Sequence, residues 1–408
     1  MISVKVSRSI KVLLVGAGSL LVPVLVMVVV AYQLAPNFYL TRTIFWRESD
    51  YKDLERFPAA TVHNAPPAFH FNELPADNPY SSQIEAIGNR STNGSLVNYL
   101  ESSGTTAFLV IHDDELVYER YFNGYNERSL NTSFSMAKSF ASALVGIAID
   151  EGHIKSVDEP ITNYIPELLE KDERFKSITI RHLLTMSSGI KYEEGGGLPW
   201  SEEADDTKTY YSTDLRELAL ENCRIEGKPG EYFEYKNYNP LLVGVILERA
   251  TGMPVSRYME EELWKPTGME ADGSWSLDSK QSGFEKMESG VNARARDFAR
   301  FGMLFAKEGN WEGEQLISRG WVEESTRADT NTDPSLDYQY FWWVNTPEDE
   351  TSHFSALGKY GQYIYVAPER DLVIVRLGKE EGERGNSYWI ELFEELATKL
   401  ETSAKESR

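Results

Sequence analysis

A single cysteine, Cys223, occurs among 408 residues, so no intrachain disulfide framework can exist. Cys223 falls in an apolar helical pattern with Leu218 and Leu220, and a buried structural thiol is expected there rather than a nucleophile. The six histidines are scattered and no His-Glu-x-x-His occurs; nothing in the sequence supports a metal site. Positive charge is in short supply. Lys and Arg total 41 against 64 Asp and Glu, a formal net charge of −23. Nucleic-acid binding calls for a basic patch, so this balance argues against such a partner and suits an acidic, well-solvated surface. No glycine-rich phosphate loop follows a strand and no internal repeat is seen, so no cofactor is expected. Gly-x-Ser-x-Gly is also missing.

The chain does contain one long uncharged run, Val12–Tyr32, behind the basic flank Lys5, Arg8 and Lys11. At 1.5 Å per residue it is long enough to cross about 30 Å of hydrocarbon. The basic flank places Met1 in the cytoplasm and the bulk of the chain outside. The expectation is a single-pass anchor over residues 1–33 in the inner membrane, with the remainder periplasmic or extracellular. A cleaved signal segment, with Val29-x-Ala31 as the small-residue site and a secreted product, is the competing reading. Residues 34–94 contain Pro36, Pro58, Pro66, Pro67, Pro75 and Pro79 without a long periodic helix, and read as a stalk that partly wraps the domain.

From residue 95 the pattern sharpens. Ser95–Ser102 reads as a helix, Thr106–Ile111 and Leu116–Phe122 as a strand hairpin. A long helix follows through Phe140, Leu144, Ile147 and Ala148 to a stop at Gly152. Residues about 155–285 read as a mostly helical insert, with helices at Ile178–Met186, Asp214–Cys223 and Pro240–Ala250. Arg294–Lys307 is a strongly apolar-faced helix. Strands are expected at Tyr338–Val344, Tyr363–Val366 and Asp371–Leu377, and a closing helix at Asn386–Leu400 before a polar tail over 401–408. Strands at both ends and helices between them suggest one α/β sandwich over 95–400, with the active site between sheet and insert.

The chemistry centres on Ser135-Met136-Ala137-Lys138. Ser-x-x-Lys also occurs at Ser49–Lys52 and Ser188–Lys191, but Ser49 lies in the stalk and Ser188 at a helix stop. Only Ser135 opens a long amphipathic helix, where positions three apart share a face and the Ser135 N–H is free for an oxyanion. The plain alternative is that Ser135 merely caps its helix. A serine hydroxyl needs a base, and no histidine lies near it in sequence. A lysine or tyrosine would serve if desolvation or a neighbouring cation lowered its pKa. Tyr235-Lys236-Asn237, in a loop before a helix, supplies the tyrosine. Lys359-Tyr360-Gly361 leads into a strand and would bring a second cation, with Gly361 letting substrate approach the backbone and the Gln362 N–H as second oxyanion donor.

These three motifs, in this order, resemble the serine β-lactamase-like superfamily: bacterial class C β-lactamases, penicillin-binding DD-peptidases, class C-like esterases and 6-aminohexanoate-dimer hydrolases. Supporting signatures are Ile180–Gly189, Leu241-Leu242-Val243-Gly244 and Ala293–Gly302. The resemblance implies the β-lactamase/transpeptidase-like fold, an antiparallel sheet flanked by helices with a helical insert. It also implies a covalent acyl-enzyme on Ser135, activated by Lys138 and Tyr235 as one coupled unit. Asn237 would position substrate or Lys138. Lys359 would hold Tyr235 in its reactive state or contact a substrate carboxylate. The third motif departs from the Lys-Thr-Gly general among penicillin-recognising members. Met136–Phe140 and Gly361–Tyr365 are most similar to the 6-aminohexanoate-dimer hydrolase-like branch, which implies small amides or carboxyl esters as substrates. A β-lactamase or D-Ala-D-Ala peptidase, and a non-catalytic anchored sensor of the same fold, remain the alternatives.

Overall fold

A computed structural model describes residues 24, 26–30, 38–194, 204–329, 334–345 and 352–407. The strands in chain order are β1 (Ala59–Val62), β2 (Asn72–Glu73), β3 (Thr105–His112), β4 (Glu115–Tyr121), β5 (Asn131–Thr132), β6 (Gly273–Ser276), β7 (Val291–Ala293), β8 (Asn310–Trp311), β9 (Glu314–Gln315), β10 (Tyr338–Gln339), β11 (Trp342–Val344), β12 (Phe354–Gly358), β13 (Gln362–Ala367) and β14 (Leu372–Gly378). Eight of them form one sheet in the order β10-β11-β12-β13-β14-β3-β4-β2. All its pairings are antiparallel except β2 with β4. A smaller sheet runs β1-β6-β7-β5 and a two-stranded one joins β8 and β9.

Both faces of the large sheet are covered, which is why its central strands read as unbroken apolar runs. Successive side chains on a strand point to opposite faces. Ala107, Leu109 and Ile111 with Ile364, Val366, Val373 and Val375 face the helices Ala137–Asp150 and Ala295–Ala306, with Tyr238–Thr251 packed against Ala137–Asp150. Phe108, Val110, Tyr363, Tyr365 and Ile374 face the terminal helix Gly385–Ser407 through Trp389, Leu392, Phe393 and Leu396. The Ala295–Ala306 helix lies so close that a Cβ on Gly302 would meet Ile364 and Val373 methyls at 2.7 Å. The Ala137–Asp150 helix is buried on all sides from Ala137 to Ala148. Phe140 stacks on Phe301 with centroids 3.8 Å apart, so this helix is a rigid central post.

Two expectations change, and a third is only partly within view. Tyr338–Val344 is not one strand: Tyr340 and Phe341 have φ of 38° and 66°, and this left-handed pair folds the segment into the β10–β11 hairpin. The proline-bearing segment 34–94 does contain a long helix, Pro79–Thr92, capped by the Asn78 side chain on the Ser81 N–H. It also supplies β1, which pairs β6, so from Tyr39 onward the segment is built into the domain. Of the Val12–Tyr32 run, Val24 and Val26–Val30 are helical and exposed. Among the described residues no helix is long and apolar enough to cross a membrane; the rest of that run lies outside them.

Candidate active site

Ser135 sits in a single 3-10 turn, Phe134–Met136, that feeds directly into the Ala137–Asp150 helix. The turn is entered through Phe134 at a φ of 45°, a left-handed conformation that costs an aromatic residue of order 1–3 kcal/mol and is held by its surroundings. Those surroundings are β5, paired to β7, the Ser133 N–H on the Val291 carbonyl at 2.8 Å, and the Phe134 ring against Tyr360. The result is a half-buried Ser135 hydroxyl presented at the mouth of a buried helix.

One helical turn on, Lys138 is 1% exposed. Its Nζ donates to Ser135 Oγ at 3.0 Å and to the Glu288 carbonyl at 2.9 Å, and it lies 4.8 Å from the centroid of the Tyr235 ring. Tyr235 in turn stacks on Trp343 and meets Tyr338 edge-on. The Glu288 segment is fixed by a buried ion pair: Lys286 Nζ donates to Glu288 Oε1 at 2.6 Å. Burial pushes the Lys286 ammonium below its ordinary pKa, and the rings of Phe57 and Tyr210 flank it.

A cavity of about 400 Å³ opens onto Ser135, within the range of small-molecule sites. Asn237 lines it; its Nδ2 donates to the Tyr192 hydroxyl at 3.2 Å, while its Oδ1 is buried without a partner among the described residues and so is open to a donor. Lys359 lines it as well, but its Nζ donates to Ser49 Oγ at 3.0 Å. The ammonium seated on the Tyr235 ring is that of Lys138.

Gly361 and Gln362 of the third motif have structural partners of their own. Gly361 has a φ of 74°, and a Cβ there would lie 1.8 Å from the Arg376 guanidinium. A glycine is required there by that buried arginine. Gln362 begins β13 opposite Gly358 and is buried, its side chain committed to the Lys359, Tyr360 and Gly378 backbone. The strand end packed on the nucleophile turn belongs to β12: a Cβ on Gly358 would meet the Ser133 carbonyl at 2.2 Å. The backbone beside Ser135 is thus Gly358–Lys359, with Gln362 one strand away.

Sequence reasoning missed Arg47, Glu48, Ser49, Asp206, Thr207, Glu288 and Ser289, all of which line the cavity with Tyr210 and Tyr211. Ser49 had a signal of sorts, in a Ser-x-x-Lys set aside for its place in the stalk. Trp200, Glu202 and Glu203, aromatic and acidic residues of the insert, lie outside the described residues. Cys223 is buried, and burial pushes its thiol up, away from reactivity. Among the described residues no group of His, Cys, Asp or Glu is placed to hold a metal ion.

Known proteins share this architecture. The 6-aminohexanoate-dimer hydrolase of Paenarthrobacter ureafaciens is 30% identical over 341 residues, which cover 79% of this chain and 82% of that protein. A solved candidate 6-aminohexanoate-dimer hydrolase from Bacillus anthracis superposes with a TM-score of 0.71 at 25% identity, covering 87% of this chain and 94% of that one. A family VIII carboxylesterase superposes with a TM-score of 0.61 at 16% identity, over 79% and 98% of the two chains. The beta-lactamase family model matches residues 98–394, a span that takes in the Ser135 helix, the insert and every strand from β3 to β14, and this chain belongs to the beta-lactamase family.

Proposed function

We propose that the chain is a serine hydrolase that cleaves small amides or carboxyl esters through a covalent acyl-enzyme on Ser135. The observation that carries the reading is the 3.0 Å contact between Lys138 Nζ and Ser135 Oγ at the cavity. Ser135 Oγ attacks the substrate carbonyl and its proton passes to the Lys138–Tyr235 unit. The tetrahedral oxyanion is met by the Ser135 N–H and by backbone N–H from the β12 end, the role Gln362 was expected to fill. Collapse breaks the C–N or C–O bond, and the leaving group takes the proton back. Water then attacks the acyl ester, releasing the acid and restoring the Ser135 hydroxyl. Asn237 Oδ1, an unpartnered acceptor in the cavity, suits the N–H of an amide substrate.

The relatives' names support amide and ester substrates of this size. A β-lactamase or D-Ala-D-Ala peptidase is disfavoured at residue 360. The Tyr360 hydroxyl donates to the Ser49 carbonyl at 2.5 Å and is taken up there, where a free hydroxyl would be needed for a β-lactam carboxylate. In the same reading the N-terminal apolar run anchors the chain in the inner membrane with the catalytic domain outside. The test is turnover of p-nitrophenyl butyrate by the full chain and by Ser135→Ala, with intact mass to detect the acyl adduct. Repeated turnover lost in Ser135→Ala supports a hydrolase. Retained activity removes Ser135 as nucleophile, and a single stoichiometric burst with a persistent adduct favours a sensor.

A further inference from the structure

The Tyr39–Trp46 helix, which leads into the wall of the active-site cavity, is built inside out. A surface helix ordinarily buries its apolar side chains and exposes its charged ones. Here the one charged residue, Arg42, is fully buried and donates to the carbonyls of Tyr211, Ser212 and Asp278. Leu40 and Ile44, four positions apart and so on one face, are 46% and 59% exposed, and Phe38 at the helix start is 54% exposed. The hydroxyls of Thr41 and Thr43 turn back onto the Phe38 and Leu40 carbonyls at 2.8 and 2.9 Å, a local bond that satisfies them within the helix. Among the described residues, every large exposed hydrophobic side chain except Leu130, Leu169, Tyr232 and Leu336 falls between Val24 and Ile44. The sequence carries no charge between Lys11 and Arg42. With Arg42 buried, the next charge to reach the surface is Arg47.

A lone exposed Leu or Ile is ordinary. A face of this kind, continuous in sequence with an apolar run long enough to cross a bilayer, suits a lipid neighbour. The face also adjoins the active site. Ile44 stands about 5 Å of helix rise before Arg47, whose φ of 60° turns the chain. Arg47, Glu48 and Ser49 then line the cavity that holds Ser135. Ser49 accepts from Lys359 through its Oγ and from Tyr360 through its carbonyl, so the helix and the cavity wall are tied to the same turn. We infer that the face carrying Phe38, Leu40 and Ile44 lies in the lipid surface of the membrane, and that the cavity beside it takes esters or amides whose alkyl chain sits in the bilayer. The contact is apolar rather than electrostatic, because a chain of net charge −23 gains nothing from anionic headgroups. This rests on the anchored hydrolase reading above.

The experiment uses the full chain reconstituted in phosphatidylcholine vesicles. Ile44→Cys is labelled with an environment-sensitive fluorophore, the native Cys223 being buried, and lipids with a nitroxide on the acyl chain serve as quenchers. Quenching is expected at position 44. None is expected at Glu314→Cys, an exposed site in the β8–β9 hairpin, which borders Asp371 at the other end of the sheet. A label at 44 that stays in water overturns the inference. So does one that is blue-shifted but unquenched, which would mean that a second copy of the chain covers the face. The second readout sets p-nitrophenyl laurate held in the vesicles against soluble p-nitrophenyl butyrate. Leu40→Gln with Ile44→Gln should lower kcat/KM for the laurate ester about tenfold, chiefly through KM, and leave the butyrate ester unchanged. Both positions are exposed, so the fold is not threatened. An equal fall for the two esters, or no fall for either, overturns the inference while leaving the hydrolase reading intact. If the chain does not float with the vesicles, the anchor reading fails and the inference with it. If the parent turns over neither ester, the hydrolase reading fails, and quenching at position 44 alone decides whether the face meets lipid.

Discussion

Lys138 Nζ lies 3.0 Å from Ser135 Oγ and also donates to the carbonyl of Glu288, 150 positions away in sequence. The helix alone brings the two side chains to one face. What aims the amine is the Glu288 carbonyl behind it and the Tyr235 ring 4.8 Å below, a face that attracts a cation. The groups around the Lys138 amine thus come from the Ser135 helix, the β6–β7 segment and the loop before the Tyr238–Thr251 helix.

The first prediction follows from that arrangement. Lys138→Met keeps the length and burial of the side chain and removes the amine, so kcat should fall by about 10²–10⁴. Tyr235→Phe should cost a similar factor. In the proposed mechanism the two act as one unit, so the double variant should lose little more than the worse single one. Acylation rates from stopped-flow release of p-nitrophenol check this; full multiplicative loss in the double variant would show independent roles.

A second prediction concerns the pair behind Glu288. Lys286 and Glu288 are each 2% exposed at the side chain and 2.6 Å apart. Lys286→Met leaves a buried carboxylate without its cation and should destabilise the fold by about 3–5 kcal/mol. Replacing both, Lys286→Met with Glu288→Leu, removes the charge problem and should recover most of that loss. Urea midpoints of the parent and the two variants measure it, and a double variant as unstable as the single would refute the argument.

Much of the site could be read in the sequence because its signals are local. Ser135 and Lys138 are one turn apart on a helix whose apolar spacing is unmistakable, and the strands β3, β13 and β14 announce themselves as runs buried on both faces. What could not be read depends on contacts across the chain. Ser49 meets Lys359 from 310 positions away, and no spacing rule marks either for the other. Gly361 looked like a glycine for substrate approach, yet the guanidinium that requires it, Arg376, lies on the next strand, where a charged residue in a β-branched run gives no hint of its partner. Tyr338–Val344 has strand composition throughout, and only its left-handed backbone at Tyr340 and Phe341 separates a strand from a hairpin.

Gly361 gives a third prediction with a built-in control. Gly361→Ala meets two costs, a left-handed φ of 74° and a Cβ 1.8 Å from Arg376 Nη1. That guanidinium is fully buried and donates to Gly361, Ser103 and Glu380 carbonyls, so it has little freedom to retreat. About 1–2 kcal/mol is expected from the backbone and about 1–3 from overpacking. At Gly124 the φ is 82° but nothing lies within 4 Å of an added Cβ, so Gly124→Ala should show the backbone cost alone. Equal losses at the two sites would mean that the Arg376 contact is immaterial.

The last prediction is a pH dependence of stability at Asp297, in the first turn of the Ala295–Ala306 helix. Its Oδ1 accepts from the Glu270 N–H at 2.6 Å and from Arg300 at 3.2 Å, but Oδ2 is buried without a partner among the described residues. Burial outweighs the nearby guanidinium and raises the carboxyl from 3.8 to about 6. The folded state therefore binds a proton that the unfolded chain has already released between these values. The stabilisation is fully present below the unfolded pKa and is lost as pH rises through about 6. A shift of this size corresponds to about 3 kcal/mol. Asp297→Asn cannot titrate, so the stability difference between the parent and this variant should move by about 2–3 kcal/mol between pH 4 and pH 7, in the parent's favour at the acid end. Urea unfolding at half-unit steps across that range reads it. A difference independent of pH, or one that favours the parent as pH rises, would mean that Arg300 keeps Asp297 ionised and that the helix start carries a true buried ion pair.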